Sequence, residues 1–282
     1  MFGVVVNYFG VESHPPSVKQ SAKFALSLLK NCQEVTSIIL TDGSSFRDED
    51  LQSYCQSLGV KYAHAGKSMS FGEAYNYGVD MLNEDWVATL ASDIYVYPNT
   101  FSVFRKFIAN HQNLEIGCLI PYLSRCDLPI QEAFQSSKKE DCYASIMSLN
   151  FNIFRREIFK KIGGFCTQYS GNFNDIDMCL KLQEMGLDII LVGEASVLHY
   201  GSLTLRHGTT VDAKSDYKKF YADYPNLYLT GGLWNLGIDQ FIRHPILKFL
   251  YRLTARFGRN PQNKAERIKW VLRQVPRWQK IN

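Results

Sequence analysis

The stretch Val35–Ser44, VTSIILTDGS, decides the fold. Five of its first six residues are β-branched or aliphatic, and it breaks into Thr41, Asp42, Gly43, Ser44, which reads as a buried strand followed by a turn. Upstream, Phe2 to Val6 reads as another strand. Between them, Ala22, Ala25, Leu26 and Leu29 recur at helical spacing within Ser17 to Leu29, a crossover helix. Downstream, Asp48 and Asp50 suit the start of a helix that runs to about Ser57, and Val60 to Ala63 reads as a short strand. Phe71, Ala74, Tyr75, Gly78, Val79 and Leu82 then line one helical face. Trp86 to Leu90 supplies the next strand, which runs into Ala91, Ser92, Asp93. Strands alternating with helices predict a doubly wound, mostly parallel sheet, in which ligands bind beyond the carboxyl ends of the strands. Asn7, Asp42 and Asp93 all stand at such ends, although each alone also suits a turn.

The second half predicts a strand over Met147 to Phe154 and a helix over Arg155 to Ile162 closed by Gly163 and Gly164. A further helix starts near Asp175 and Asp177 and ends at Gly186. Strands at Ile189 to Val192 and Ala195 to Leu198 come next, the second ending in His199. With 282 residues, 46% hydrophobic and 21% charged, the chain is a folded protein rather than a disordered or repetitive one. Its seven cysteines, at 32, 55, 118, 126, 142, 166 and 179, form no CxxC pair, which predicts a reducing compartment. The N-terminal MFGVVVNYFG lacks the pattern of a signal peptide, and no apolar run approaches the ~20 residues of a membrane span.

Four ordered blocks over roughly residues 1 to 205 resemble the inverting family 2 glycosyltransferases of the GT-A fold. They are VVVNYFG with the Asp42-Gly43-Ser44 turn, then SMSFGEAYNYG (68–78), then LASDIYVYP (90–98), and finally IGGF (162–165), NDID (174–177) and HYGS (199–202). The chain departs from the common family pattern at Ser68 and Ser70, at Ala91 in place of the first Asp of the metal motif, and at Asn174 in place of a Glu. The resemblance implies an α/β GT-A domain that moves a sugar, with inversion, from a nucleotide diphosphate sugar to a hydroxyl of a glycan or lipid-linked acceptor, with a UDP- or dTDP-sugar favoured. It implies nucleotide-sugar contacts at Asn7, Asp42, Ser92 and Asp93, a metal held by Asp93 and His199, and Asp175 as the general base.

The residue types fit that chemistry. A departing diphosphate gathers negative charge and needs a divalent cation or a basic group beside it. Carboxylate and imidazole ligands suit Mn²⁺, with Mg²⁺ the other candidate. Inversion requires the acceptor hydroxyl to lose its proton as it attacks, a task for a carboxylate. Asp175 and Asp177 equally suit a helix N-terminus on electrostatic grounds, and Asp177 is expected to cap or support the turn. A sugar-phosphate nucleotidyltransferase is the alternative enzyme, but NYFGVES offers one Gly where that class carries a Gly-rich phosphate loop. A catalytically inactive sugar-binding module is the third reading.

Charge divides the chain unevenly. From Ile242 onward, 11 Lys and Arg stand against Glu266 alone, while the first 241 residues hold 20 basic and 26 acidic residues. Ile246, Leu250, Leu253 and Phe257 share a helical face opposite Lys248, Arg252, Arg256 and Arg259, and Lys264 to Val275 has a similar pattern. The expected division is a catalytic domain over 1–225 and a basic helical extension over 226–282, which either packs on the domain or lies on an anionic membrane. No nucleic-acid motif accompanies the charge. The expected location is the cytoplasm, with the inner face of a membrane as a second option.

Overall fold

The computed structural model describes residues 1–125, 140–144, 150–201, 203, 212–223 and 279–280. In chain order the elements are β1 (Phe2–Tyr8), α1 (Pro16–Leu29), β2 (Val35–Asp42), α2 (Glu49–Ser57), β3 (Lys61–His64), α3 (Phe71–Asp80), β4 (Trp86–Ala91), β5 (Ile94–Val96), α4 (Thr100–Asn110), β6 (Ile116–Arg125), β7 (Cys142–Ala144), β8 (Phe151–Arg155), α5 (Arg156–Lys161), α6 (Asn174–Glu184), β9 (Asp188–His199), α7 (Ala213–Asp223) and β10 (Gln279–Lys280). One sheet takes the order β10-β7-β9-β6-β8-β4-β1-β2-β3, with β5 paired to β9. Strands β1 to β4 pair in parallel, as do β6 and β9. Strand β8 runs against its neighbours, and β5 and β7 run against β9.

Both faces of the sheet are buried, which is why β1 reads as unbroken apolar sequence rather than an alternating one. Val4 and Val6 enter a core with Ala22, Leu26, Phe101 and Phe104. Val5 points the other way, into a core with Tyr75, Val79, Phe159, Phe165, Ile176 and Phe220. Helix α3 approaches β1 closely at Gly78, where a Cβ would lie 2.4 Å from Val5 Cγ1.

Several expectations shift in detail. The two strands predicted over 189–198 are one, β9, whose pairing with β6 is irregular between Pro121 and Tyr122 and so lets the chain pass through Gly193 and Glu194. Helices α4 and α7 and strands β5 to β7 and β10 add to the predicted elements. The helical patterns at 246–257 and 264–275 lie outside the described residues. Strand β10 pairs antiparallel with β7, Gln279 opposite Tyr143. Among the described residues no helix is long and apolar enough to cross a membrane. The six described cysteines are free thiols.

Candidate active site

Adjacent strand ends bring Asn7, Asp42 and Asp93 to one edge. Asn7 is in register with Thr41 on one side and Ala91 on the other. Its Oδ1 is buried and has no hydrogen-bond partner among the described residues, an acceptor left open at the centre of the edge. Asp42 is different. It is fully buried, with Oδ1 accepting from the Ser44 N–H at 2.9 Å and from the Ser44 hydroxyl, and Oδ2 accepting from the Tyr62 hydroxyl. The Asp-Gly-Ser turn is therefore built around this carboxylate. Ser68 Oγ donates to the Gly43 carbonyl at 3.3 Å, and Ser44 Oγ accepts from the Gly10 N–H at 2.8 Å.

Immediately after β4 the chain passes through Ser92 and Asp93, both buried, into β5, which lies antiparallel to the end of β9 with Ile94 opposite His199. That pairing sets His199 Nε2 3.4 Å from Asp93 Oδ2. The Leu203 N–H donates to the same oxygen at 3.2 Å. Burial works against the Asp93 charge, but His199 and the Leu203 amide outweigh it and hold the carboxyl below its usual range. Ser92 contributes its carbonyl, which accepts from Ser21 Oγ at 3.1 Å. The β5–β9 pairing thus brings one carboxylate and one imidazole together at the end of β4. Among the described residues no third His, Cys, Asp or Glu joins them.

Helix α3 links this edge to the second half of the site. Tyr75 is fully buried, and burial, together with the Asp93 charge, pushes its hydroxyl well above the ordinary value. Its ring packs on Phe165, 5.4 Å between centroids. Next to Tyr75, Asn76 clamps the Gly-Gly-Phe turn, donating to the Phe165 carbonyl at 2.8 Å and accepting its N–H at 3.0 Å. Gly164, at φ +66, allows this, since a Cβ there would lie 2.4 Å from Asn76 Oδ1. Ser70 caps α3 in a reciprocal pair with Glu73 and also donates to the Thr167 carbonyl at 3.0 Å. The departure from the family pattern at Ser70 thus supplies a cap.

From that turn the chain reaches Phe173, whose φ of +64 is an uncommon conformation for a bulky side chain, and then opens α6 with Asn174 and Asp175. Asn174 is fully buried, and neither polar atom of its side chain has a hydrogen-bond partner among the described residues. Asp175 keeps partial exposure, and its Oδ1 accepts from the Ile176 N–H at 2.9 Å. Burial raises its pKa to about 6, against the weaker opposing pull of that amide and its own. A carboxylate so placed is ionised at neutral pH yet basic enough to take a proton from a hydroxyl under attack. Asp177 faces inward and pairs with Lys181 at 2.8 Å, one turn along the helix. The two acids of NDID therefore have different surroundings: one held apart as a weak acid, the other locked in an ion pair.

No sequence motif marks Asp216 on α7, yet its buried carboxylate binds the loop just ahead of Phe173. A cavity of about 750 Å³ lies elsewhere, at the opposite ends of the strands beside Phe2, Trp86 and Arg155. Its lining shares no residue with the Asn7–Asp93 edge.

A mostly parallel sheet with an Asp-Gly-Ser turn, an aspartate after the fourth strand and an acidic helix start beyond a Gly-Gly-Phe turn define a nucleotide-sugar glycosyltransferase of the GT-A fold. The model of glycosyl transferase family 2 matches residues 22–163, half of the chain, and the chain belongs to that family. Among solved structures, residues 1–349 of S. aureus TarS in complex with UDP-GlcNAc align with a TM-score of 0.60 at 13% identity, over 97% of this chain and 72% of that one. The mannosyltransferase PcManGT from Pyrobaculum calidifontis in complex with GDP-Man and Mn²⁺ aligns with a TM-score of 0.55 at 12% identity, over 97% of this chain and 85% of that one. GalNAc-T7 with UDP, GalNAc and Mn²⁺ gives 0.51 at 16%, over 80% and 50%. At such identities the likeness establishes the fold. A search of curated proteins returned no match.

Proposed function

We propose that the chain is an inverting glycosyltransferase that moves a hexosyl or pentosyl group from a UDP- or dTDP-sugar to a hydroxyl of a glycan or lipid-linked acceptor. The observation that carries this reading is Asp175, a carboxyl raised to about 6 by burial and set at a helix start beyond a strained residue. In this reading Asp175 accepts the proton of the acceptor hydroxyl as its oxygen attacks the anomeric carbon and the bond to the diphosphate breaks on the far side.

The nucleotide lies over the ends of β1, β2 and β4. Asn7 offers it an open acceptor, and Ser92 and Asp93 border its diphosphate. Asp42 is the third nucleotide contact of this reading, its carboxylate held in place by Ser44 and Tyr62. Asp93 and His199 fit a divalent cation: a carboxylate oxygen and an imidazole nitrogen face one another, a donor set suited to Mn²⁺, with Mg²⁺ the alternative. When bound, such an ion offsets the charge that gathers on the departing diphosphate. The structures of TarS with UDP-GlcNAc and of GalNAc-T7 with UDP and Mn²⁺ support a uridine nucleotide and a metal.

The test is calorimetric titration of UDP and dTDP with Mn²⁺ and with EDTA, followed by NMR of the anomer formed from the UDP- or dTDP-sugar that the protein turns over. Binding that weakens in EDTA, with an inverted anomer, is the expected result. Equal affinity in both conditions removes the metal role, and a retained configuration removes Asp175 as base of a direct displacement.

A further inference from the structure

Asp216 is fully buried in the first turns of α7, far beyond the acidic motif in sequence, and among the described residues its carboxylate accepts from Ser170, Gly171 and Asn172. Its Oδ1 accepts the Ser170 N–H at 2.6 Å. Its Oδ2 accepts from the Ser170 hydroxyl at 2.9 Å, the Gly171 N–H at 3.1 Å, the Asn172 N–H at 2.8 Å and Asn172 Nδ2 at 3.3 Å. Five donors on one buried carboxylate are far more than a turn requires, and an ionised acceptor makes each bond stronger than a neutral one would. The Asp212 N–H completes the arrangement by donating to Ser170 Oγ at 2.8 Å.

The same face of α7 holds the loop at two more points. Phe220 stacks on Phe173 at 4.6 Å between centroids, with the rings 22° from parallel. Asp223 Oδ2 accepts from the Tyr169 hydroxyl at 3.1 Å. Residues 216, 220 and 223 share one face of α7, with Asp212 just ahead of it, so a single element holds residues 169 to 173 along their length. Directly beyond the gripped loop stand Phe173 in its left-handed conformation, then Asn174 and Asp175. Backbone strain persists only where its surroundings over-determine it.

We infer that Asp216 is a positioning residue for the transfer reaction: by holding the amides of Ser170 to Asn172 it keeps Phe173 strained and so fixes where the carboxylate of Asp175 points. The inference rests on the reading of Asp175 as the base. It also makes α7 part of the catalytic apparatus.

The test uses the full chain and measures release of UDP, or of dTDP, from whichever nucleotide sugar the wild type turns over. Asp216→Asn keeps the size but sets an NH₂ group against N–H donors. A misplaced base costs of the order of 10²-fold for a displacement near 1 Å, so kcat should fall about 10- to 100-fold while donor KM and UDP affinity stay within about twofold. Leu26→Ala, a cavity variant in the other core, should lose stability while keeping the kcat of its folded fraction, which separates positioning from general loosening. Asp175→Asn is measured alongside. If Asp175→Asn is inactive and Asp216→Asn folds with wild-type kcat, the inference is overturned and the base reading stands. If Asp175→Asn is as active as wild type, both fall. Should Asp216→Asn fail to fold, Ser170→Ala, which removes the hydroxyl between Asp212 and Asp216, carries the test: a several-fold loss of kcat at unchanged KM supports the inference, and an unchanged kcat overturns it.

Discussion

At Asp175 the fold holds an acid against its own preference for the neutral form. Burial lifts its pKa from 3.8 to about 6, so the folded protein binds that proton more tightly than the unfolded chain does. The sign comes from linkage: the ionised carboxylate costs stability fully above about pH 6, and the cost is gone below the ordinary value. Asp175→Asn should therefore raise Tm at pH 8, and the gain should vanish near pH 4, as read by calorimetric melts at both. Wild-type turnover should fall as pH drops through about 6, where the base becomes protonated. Asp177 behaves otherwise. It is buried and paired with the half-buried Lys181, so Asp177→Asn should lower stability by about 1 to 2 kcal/mol in a denaturant titration, with nucleotide affinity unchanged. Residues such as Asp42, Asp93 and Asp175 are legible in the sequence because each sits in a local pattern, a strand end or a helix start. Their surroundings are not: Asp42 stands at a strand end in sequence, and nothing there points to Tyr62, 20 residues away, which donates to its carboxylate. Asp216 is invisible for the same reason. Its partners lie 44 to 46 residues upstream, and its neighbours Lys218 and Lys219 make DYKKF look like a solvated face.

Among the elements, α3 joins the two halves of the site. Its Gly78 packs on β1, its Tyr75 ring packs on Phe165, and its Asn76 holds the Gly-Gly-Phe turn. A Cβ at Gly78 would meet Val5 at 2.4 Å, a contact that only a shift of the helix or strand can relieve. Gly78→Ala should cost about 1 to 3 kcal/mol in urea unfolding, in the range of an overpacked core. The one-sided apolar spacing that predicts α3 also predicts α1, because both cover a sheet whose strands come early and in order. Pairings across long separations carry no such signal. Strand β5 of three residues lies against β9, about 100 residues later, and that pairing sets His199 beside Asp93. Helix α4 does carry a local mark, since Phe101, Phe104 and Phe107 recur every third residue and all three are buried.

Across the whole molecule, charge and topology pull the C-terminal segment in two directions. Eleven basic residues against one acid from Ile242 onward suit an anionic surface, while β10 returns to the sheet edge beside β7. Both roles are testable with the full chain and a chain ending at Asp239. The full chain should co-sediment with anionic liposomes and release as salt rises, since each basic group near the surface contributes at most ~1 kcal/mol and is screened. The shortened chain should stay in the supernatant, and it should melt at a lower temperature because the edge of β7 loses its partner. Equal sedimentation of the two would return the segment to a packing role. The proposed mechanism rests on Asp175 taking the acceptor's proton, and the most direct measurement is turnover and nucleotide binding in one preparation of Asp175→Asn. Loss of a positioned general base should slow transfer about 10²- to 10⁴-fold, with UDP or dTDP bound as tightly as by the wild type, because the diphosphate site proposed above lies at Asp93 and His199 rather than at Asp175. Normal turnover by Asp175→Asn with intact nucleotide binding would contradict it.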